Sequence, residues 1–128
     1  MADDPFDRVR KLWHPEDKDL LLSILDTIGD KWSQLVLGSL YKQPRRFTEL
    51  VEVIPGVSRR MLTLRLRQLE RDGLITRQAR VGAHPSFEYV ITPLGRTLRE
   101  PLLELAYWAG KNRATIEGNR SRYDSATS

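Results

Sequence analysis

The sequence predicts a mainly α-helical protein that contains one small β-hairpin. Apolar residues recur at helical spacing through most of the first 72 residues and again after residue 93. Between these regions, after Gly73, the pattern changes to two short segments rich in branched and aromatic residues, which is typical of strands. The 128 residues, 40% hydrophobic and 30% charged, are enough to bury one core without disulfides or metal ions.

Composition excludes several classes of protein. The sequence contains no cysteine, which rules out a disulfide framework and a thiolate metal site within it. Its two histidines, His14 and His84, lie far apart, so we expect neither a zinc site nor another cofactor. No catalytic pair or glycine-rich phosphate loop points to an enzyme. The longest uncharged segment, residues 32–41, is about half of a membrane span, and no signal peptide is recognisable, so we expect a cytoplasmic protein without a membrane partner.

The N-terminal region divides into an arm and a first helix. We expect residues 1–15 to form the arm, because they mix charged, proline and apolar residues. Val9, Leu12 and Trp13 have helical spacing, so a short helix within the arm is plausible. The first firm helix is predicted over residues 16–27 from its apolar stripe.

Two further helices follow, of which the second is short. Asp30 can cap a helix over residues 31–41, which Pro44 ends. Thr48 is then a candidate cap for a short helix that the Pro-Gly pair at 55–56 breaks after two turns.

The next helix and the hairpin have clear boundaries. Ser58 can cap a helix over residues 58–72, and Gly73 supplies the left-handed exit from it. The segments rich in branched and aromatic residues then predict a hairpin over residues 75–92, with an open loop at residues 82–86.

The C-terminal region predicts one helix and a tail. Pro93 can occupy the first position of a helix that continues to about residue 111, and Pro101 within it should bend or loosen that helix. No apolar period remains in residues 118–128, which we expect to be a disordered tail. The domain proper is therefore predicted to span residues 16–117.

Two short helices joined by a tight turn and followed by a hairpin have the order of a winged helix-turn-helix, in which the second helix enters the major groove of DNA. In the helix over residues 58–72, Leu62, Leu66 and Leu69 fall within one narrow sector, which predicts the buried stripe. The opposite sector holds Arg60, Thr63, Leu64, Arg67 and Arg71.

This polar sector predicts two kinds of DNA contact, because arginine pairs with guanine edges and phosphates while methyl groups meet thymine. The residues expected to read bases are Arg60, Thr63, Leu64 and Arg67. The residues expected to hold the phosphate backbone are Ser58, Arg59, Arg71, Arg77 and Arg80. The hairpin would then lie along the backbone or in the minor groove. The alternative is an ordinary solvated arginine face beside a hairpin that only covers the core.

The distribution of charge favours a polyanion partner. Residues 31–81 carry 11 basic and 4 acidic side chains, whereas residues 1–30 carry 4 basic and 8 acidic ones. Concentrated positive charge attracts nucleic acid by releasing its counterions. A winged-helix module that binds an acidic protein partner is the alternative function, since fold alone does not fix function.

Five segments of the chain carry a family resemblance. They are residues 24–32 (ILDTIGDKW), 46–50 (RFTEL), 55–63 (PGVSRRMLT), 69–75 (LERDGLI) and 88–95 (EYVITPLG). In this order and spacing they resemble the signatures of the HxlR family of MarR-like bacterial transcriptional regulators. The resemblance covers about residues 20–110.

The resemblance implies a winged-helix homodimer, joined by its terminal helices, that binds a pseudo-palindromic operator in double-stranded DNA. The dimer contacts would come from the apolar residues of the arm and the last helix, namely Val9, Leu12, Trp13, Leu98, Leu102, Leu105 and Trp108. The alternative is that both elements pack on their own domain.

The sequence departs from this family at one position. Many members carry a cysteine and a proline where this chain has Asp19 and Leu20, and use the thiol to sense oxidants. Direct cysteine sensing is therefore not expected here. A small-molecule effector, unidentified, could occupy an aromatic cleft, although aromatic residues at helical spacing more often form core. The aromatic residues considered are Trp13, Trp32, Tyr107 and Trp108.

Overall fold

The computed structural model describes residues 4–82, 84 and 86–127. Its elements follow the predicted order of helices with one hairpin near the middle. They are α1 (Pro5–Arg10), a 3₁₀ turn (Pro15–Asp17), α2 (Lys18–Gly29), α3 (Lys31–Lys42), α4 (Phe47–Val53), α5 (Arg59–Arg71), β1 (Ile75–Arg80), β2 (Ser86–Ile91), α6 (Pro93–Arg96), α7 (Arg99–Lys111) and α8 (Arg113–Thr127). The mainly helical fold class is confirmed. Residues 83 and 85 of the expected open loop, and the first three residues of the arm, lie outside the described residues.

The start of α3 is capped as predicted. The Asp30 carboxylate accepts hydrogen bonds from the backbone N–H groups of Trp32 and Ser33, at 2.9 and 3.1 Å. These are two of the four N–H groups that a helix leaves without an intrahelical partner. Asp30 therefore fixes the point at which the chain leaves α2 and begins α3.

The start of α4 differs from the prediction. Thr48 is not the cap, because the helix begins at Phe47 and the capping residue is Arg46. The carboxylate of Glu49, three residues on, accepts the Arg46 backbone N–H at 3.4 Å. This hydrogen bond from the N-cap residue to a glutamate three residues on is half of a capping box. Because it forms at Arg46, the helix begins one residue before Thr48.

The boundaries of α5 agree with the prediction. The Ser58 hydroxyl oxygen accepts the Met61 backbone N–H at 3.0 Å, so Ser58 is the N-cap. After Asp72 the chain turns through Gly73, whose φ of 76° lies in the left-handed region that favours glycine. Helix α5 is thus held at both ends by the residues that the sequence indicates.

The hairpin has a third backbone partner. Strands β1 and β2 pair antiparallel along their whole length. In addition, the Arg45 N–H donates to the Tyr89 carbonyl oxygen at 3.1 Å, and the Tyr89 N–H donates back to the Arg45 oxygen at 2.7 Å. The hairpin is therefore attached by backbone to the segment between α3 and α4.

One apolar core joins α3, α4, α5 and the hairpin. The three leucines predicted from the helical wheel, Leu62, Leu66 and Leu69, are at most 1% exposed. Each packs in the same buried cluster, which consists of Val36, Leu37, Leu40, Leu50, Ile54, Leu62, Leu66, Leu69, Leu74, Ile75 and Ile91. Because these leucines take up one side of α5, its other side is turned to solvent.

The expected single helix after residue 93 is interrupted. Pro93 occupies the first helical position as predicted, but α6 ends at Arg96 and α7 starts at Arg99. Pro101 explains the break, since it has no N–H to donate to the carbonyl of Thr97 four residues earlier. The proline therefore sits in the first turn of a new helix, where it is tolerated.

Helix α6 packs very closely against Leu74, the residue before β1. The Gly95 N–H donates to the Thr92 hydroxyl at 3.0 Å, and a Cβ atom at Gly95 would lie 2.1 Å from the Leu74 carbonyl oxygen. The Tyr41 hydroxyl also donates to the Gly95 carbonyl, at 3.2 Å. Only glycine fits here, and α6 is fixed against the core by backbone contact.

The prediction of a disordered tail is wrong for the described residues 118–127, because they belong to α8. Helix α8 has no buried residue, which agrees with the missing apolar period. Its first turns are instead supported by an i,i+4 ion pair between Arg113 and Glu117 at 3.0 Å, and no proline interrupts it. Polar helices of this kind give no periodic signal in a sequence.

Candidate nucleic-acid interface

The solvent side of α5 brings together the residues predicted to read bases. Arg60 and Arg67 are exposed, Thr63 is half-buried, and Leu64 is 46% exposed although it is apolar. Arg71 lies exposed one turn beyond Arg67. The structure thus presents an arginine-rich face with one exposed leucine, opposite the buried stripe of the same helix.

Two polar side chains at the start of α5 already form hydrogen bonds with the backbone of the same helix. The Thr63 hydroxyl donates to the Arg59 carbonyl at 2.8 Å, and the Ser58 oxygen caps the first turn. The methyl group of Thr63 is then the part best placed to meet another molecule. Arg59 lies at the helix start with its guanidinium 5.7 Å from the centre of the Phe47 ring.

The hairpin places two predicted arginines beside the helices. The Arg77 Nε atom donates to Glu70 Oε2 at 2.8 Å, and its guanidinium lies 5.1 Å from the centre of the Phe87 ring. Arg80 donates from Nη1 to Glu49 Oε1 at 3.3 Å. Hence Arg77 is connected to α5 and Arg80 to α4.

Glu49 also binds an arginine that the sequence analysis did not assign. Arg46 donates from Nε to the same Oε1 atom at 2.8 Å. The hydrogen bond from the Arg46 side chain is the main reason why the pKa of Glu49 is lowered, with a smaller contribution from the charge of Arg80. Arg46 lies within the RFTEL segment, but its neighbour Arg80 is far away in sequence, so only the fold brings them together.

The ion pair between Arg77 and Glu70 joins the hairpin to α5, and Tyr89 lies where charges from both elements act on it. Burial raises the pKa of its hydroxyl, and the charge of Glu70 raises it further. The guanidinium groups of Arg77 and Arg67 oppose this shift, so both act on the same phenol although they come from different elements. We call the surface that bears these arginines the basic face. It consists of Arg60, Arg67 and Arg71 of α5 together with Arg46, Arg77 and Arg80.

The residues predicted at a dimer contact fall into two groups. Val9, Leu12, Leu105 and Trp108 are exposed, by 48 to 76%. The half-buried residues are Trp13, Leu98 and Leu102, of which Leu98 and Leu102 pack on the core of their own chain.

An apolar groove of about 340 Å³ lies between α2 and the α6–α7 region. Its walls include Leu20, Ile24, Leu94 and Leu98. The lining is mainly aliphatic, with Asp72 and Thr97 as its polar residues. It contains none of the four aromatic residues predicted to line an effector cleft, of which Trp32 packs against the core. Within the described residues, no group of three or more His, Asp or Glu side chains could hold a metal ion. None of the described helices is both long and apolar enough to cross a membrane.

Helix α4, a tight turn, helix α5 and the hairpin define a winged helix-turn-helix protein of the kind that binds DNA. The chain belongs to the HxlR-like helix-turn-helix family, whose family model matches residues 27–117. The resemblance predicted from the sequence is therefore confirmed.

Relatives and solved structures agree with this assignment. The chain is 38% identical over 97 residues to YybR of Bacillus subtilis, an uncharacterized HTH-type transcriptional regulator, covering 76% of this chain and 78% of YybR. The structure of ytfH from Salmonella typhimurium is similar with a TM-score of 0.67 at 32% identity, over 77% of this chain and 88% of that one. The structure of the redox regulator HypR in its reduced form is similar with a TM-score of 0.66 at 37% identity, over 74% of this chain and 94% of HypR. The chain is thus a helix-turn-helix transcriptional regulator.

Proposed function

We propose that this regulator acts as a homodimer on a pseudo-palindromic operator, with α5 in the major groove and the hairpin as a wing on the backbone or in the minor groove. The observation that carries the proposal is the division of α5 into two sides. Leu62, Leu66 and Leu69 are buried, whereas Arg60, Leu64 and Arg67 face solvent on the opposite side. An arginine-rich helix face with an exposed leucine suits the donors, acceptors and methyl groups of the major groove.

The roles of the individual side chains follow from their positions. Base contacts are proposed for Arg60, Thr63, Leu64 and Arg67, which lie on the solvent side of α5. Backbone contacts are proposed for Ser58, Arg59, Arg71, Arg77 and Arg80, which lie at the helix ends and on the wing. Phosphate contacts of this kind orient a protein on the duplex, and base contacts select the sequence.

The proposed dimer is supported by apolar surface at both ends of the chain. Helix α7 has no buried residue although it carries several large apolar side chains. Each of Leu103, Leu105, Tyr107 and Trp108 is more than half exposed. Several large apolar residues exposed on one helix are typical of an interaction site. A second copy would cover them and would set two copies of α5 about one helical turn of DNA apart.

The signal that releases the operator is proposed to act without a thiol on this chain. HypR is described as a redox regulator, but the present sequence contains no cysteine, and Asp19 stands where many family members carry one. Oxidation of a cysteine in this chain therefore cannot be the input. The mainly apolar groove between α2 and the α6–α7 region is the recess proposed for a small-molecule effector.

Selection of bound fragments from random duplex DNA tests the proposed function. We expect enrichment of one half-site in two inverted copies, preferred by at least about a thousandfold over unrelated duplexes. A protein that bound heparin and every duplex alike, or that bound acidic proteins and no DNA, would contradict the proposal. The symmetry of the enriched site also reports on the dimer.

A further inference from the structure

The arginines of the basic face fall into two groups by their partners. Arg60, Arg67 and Arg71 form no ion pair with a carboxylate in the described part of the chain. In contrast, Arg46, Arg77 and Arg80 are each within 3.3 Å of a glutamate oxygen. The first group lies on α5, where base contacts are proposed for Arg60 and Arg67 and a backbone contact for Arg71. The second group lies on the wing and beside it.

Glu49 is the centre of the larger cluster. One of its oxygens, Oε1, accepts from Arg46 at 2.8 Å and from Arg80 at 3.3 Å, and thereby connects α4 with β1. The Glu49 side chain is 30% exposed and Arg80 is 44% exposed, so the cluster lies at the surface that would approach a duplex. A carboxylate that holds two guanidinium groups in this way occupies the positions that a phosphate would take.

Glu70 does the same for the second arginine of the wing. It accepts from Arg77 at 2.8 Å, and its side chain is 33% exposed. Both arginines of β1 that are proposed to hold phosphates are therefore paired with a carboxylate before any DNA is present.

We propose that Glu49, supported by Glu70, competes with phosphates for the wing arginines and so determines in which complex these arginines bind DNA. This inference rests on the proposed function. In a non-specific complex the pairs stay closed, so Arg77 and Arg80 add little to binding. In the operator complex the base contacts of α5 hold the wing against the backbone, and the high local concentration of phosphates opens the pairs.

The physical reason lies in the different composition of the two complexes. Non-specific binding consists almost entirely of phosphate contacts. An arginine that stays paired with a glutamate therefore contributes no phosphate contact to it, and the exposed carboxylate also repels the duplex. Operator binding has base contacts in addition, and these hold the wing close enough to the backbone for the pairs to open. The glutamates thus remove the wing contacts from the non-specific complex, whereas in the operator complex they cost the free energy of opening the pairs.

Glu49→Gln tests this proposal, with Glu52→Gln as the matched control. Glutamine keeps the capping role of position 49, which accepts either residue. Glu52 lies exposed on the same helix and forms no ion pair among the described residues. The probe is a random-sequence duplex, measured by fluorescence anisotropy over a series of salt concentrations, alongside the duplex enriched by selection.

We expect Glu49→Gln to tighten binding to the random duplex by about two- to fivefold at low salt, the range that opening an exposed ion pair gives. The slope of log K against log salt should steepen by about one, because one more arginine reaches a phosphate. Binding to the enriched duplex should gain at least as much, because the pair no longer has to be opened there, but its salt slope should stay the same because Arg80 already reaches a phosphate in that complex. The same substitution should gain less in an Arg80→Ala background, since the released side chain is then absent.

Two results would overturn the proposal. One is an equal gain for Glu49→Gln and Glu52→Gln, which would mean that only net charge matters. The other is an undiminished gain in the Arg80→Ala background. If circular dichroism shows that Glu49→Gln is unfolded, Glu70→Gln replaces it, with the same expected gain through Arg77 and the same control. A wild-type protein that prefers no duplex would instead contradict the proposed function, so the two failures can be told apart.

Discussion

The side chains on the solvent side of α5 differ in how far their polar groups are already engaged. The Thr63 hydroxyl donates to its own helix at 2.8 Å, whereas Arg60 and Arg67 form no ion pair with a described carboxylate. We therefore expect the arginines to supply the hydrogen bonds that distinguish bases. Thr63 and Leu64 then supply methyl contacts, which discriminate thymine by shape.

Arg60→Ala should weaken binding to the enriched duplex by about 1–3 kcal/mol and relax preference at one base position. Arg71→Ala is the matched comparison, because it removes an exposed arginine from the proposed backbone contacts of the same helix. It should weaken all duplexes alike. Binding measured on the enriched duplex and its single-base variants separates the two effects. If Arg60→Ala loses no preference at any position, the proposed reading face is wrong.

Gly95→Ala should destabilise the fold by about 1–3 kcal/mol, since overpacking a close contact costs this much. The added Cβ atom would lie 2.1 Å from the Leu74 carbonyl oxygen, which belongs to the backbone and cannot rotate away. Gly38→Ala is the control, because Gly38 is exposed within α3 and has no neighbour within 4 Å of an added Cβ. It should gain about 0.5–1 kcal/mol. Urea denaturation measures both, and equal effects would contradict the close contact.

At the scale of elements, one residue joins the start of α3 to the middle of α5. Asp30 Oδ2 lies 3.1 Å from Arg65 Nε while it accepts the two N–H groups of the α3 cap. The Arg65 contact is an ion pair without hydrogen-bond geometry. Both side chains are about 20% exposed, so solvent screens this pair less than those at the wing.

Two substitutions at Asp30 separate its two roles. Asp30→Asn keeps a good cap and loses the ion pair, so we expect a loss of about 1 kcal/mol in the free energy of unfolding. Asp30→Ala loses the cap as well and should cost about 1 kcal/mol more. Chemical denaturation gives both values. Identical stabilities of the two variants would mean that the cap contributes nothing.

The helical elements differ in how well the sequence predicts them. The bounds of α5 are predicted because Ser58 and Gly73 act locally, within a few residues of the helix ends. The start of α4 is not predicted correctly because Thr48 is a good cap by residue type. The observed cap is Arg46, and it depends on a hydrogen bond to the glutamate three residues further on. The split between α6 and α7 lies upstream of Pro101, since the missing hydrogen bond belongs to the carbonyl four residues earlier.

At the scale of the whole molecule, the proposed dimer contact includes α7, where Leu103, Leu105, Tyr107 and Trp108 are each more than half exposed. Leu105→Glu should therefore convert a dimer to a monomer at micromolar concentration without loss of helix content. The reason is that a charge would be buried against a second copy. Leu35→Glu is the control, because Leu35 is also exposed, by 45%, but lies on α3. Analytical ultracentrifugation measures the oligomeric state of each variant, and circular dichroism measures its helix content. A monomeric wild-type protein would refute the proposed dimer.

The basic face was partly predictable from the sequence. Arg60, Arg67 and Arg71 share one sector of one helix, so helical geometry alone groups them. The pairing of Glu49 with Arg80 spans 31 positions and could not be read from either segment. Sequence patterns therefore predict which arginines are present, whereas their partners depend on how the wing packs beside α4.

The backbone pairing of Arg45 with Tyr89 adds one bridge of two hydrogen bonds beside the two strands of the wing. A two-stranded hairpin alone is barely stable in water, and additional pairing is what makes such a structure persist. The conformational freedom of the wing at this point is therefore already lost when the chain folds, and little ordering remains for the moment of binding. Association with DNA would then be limited by diffusion and orientation, and no slow step of wing formation should follow the first encounter.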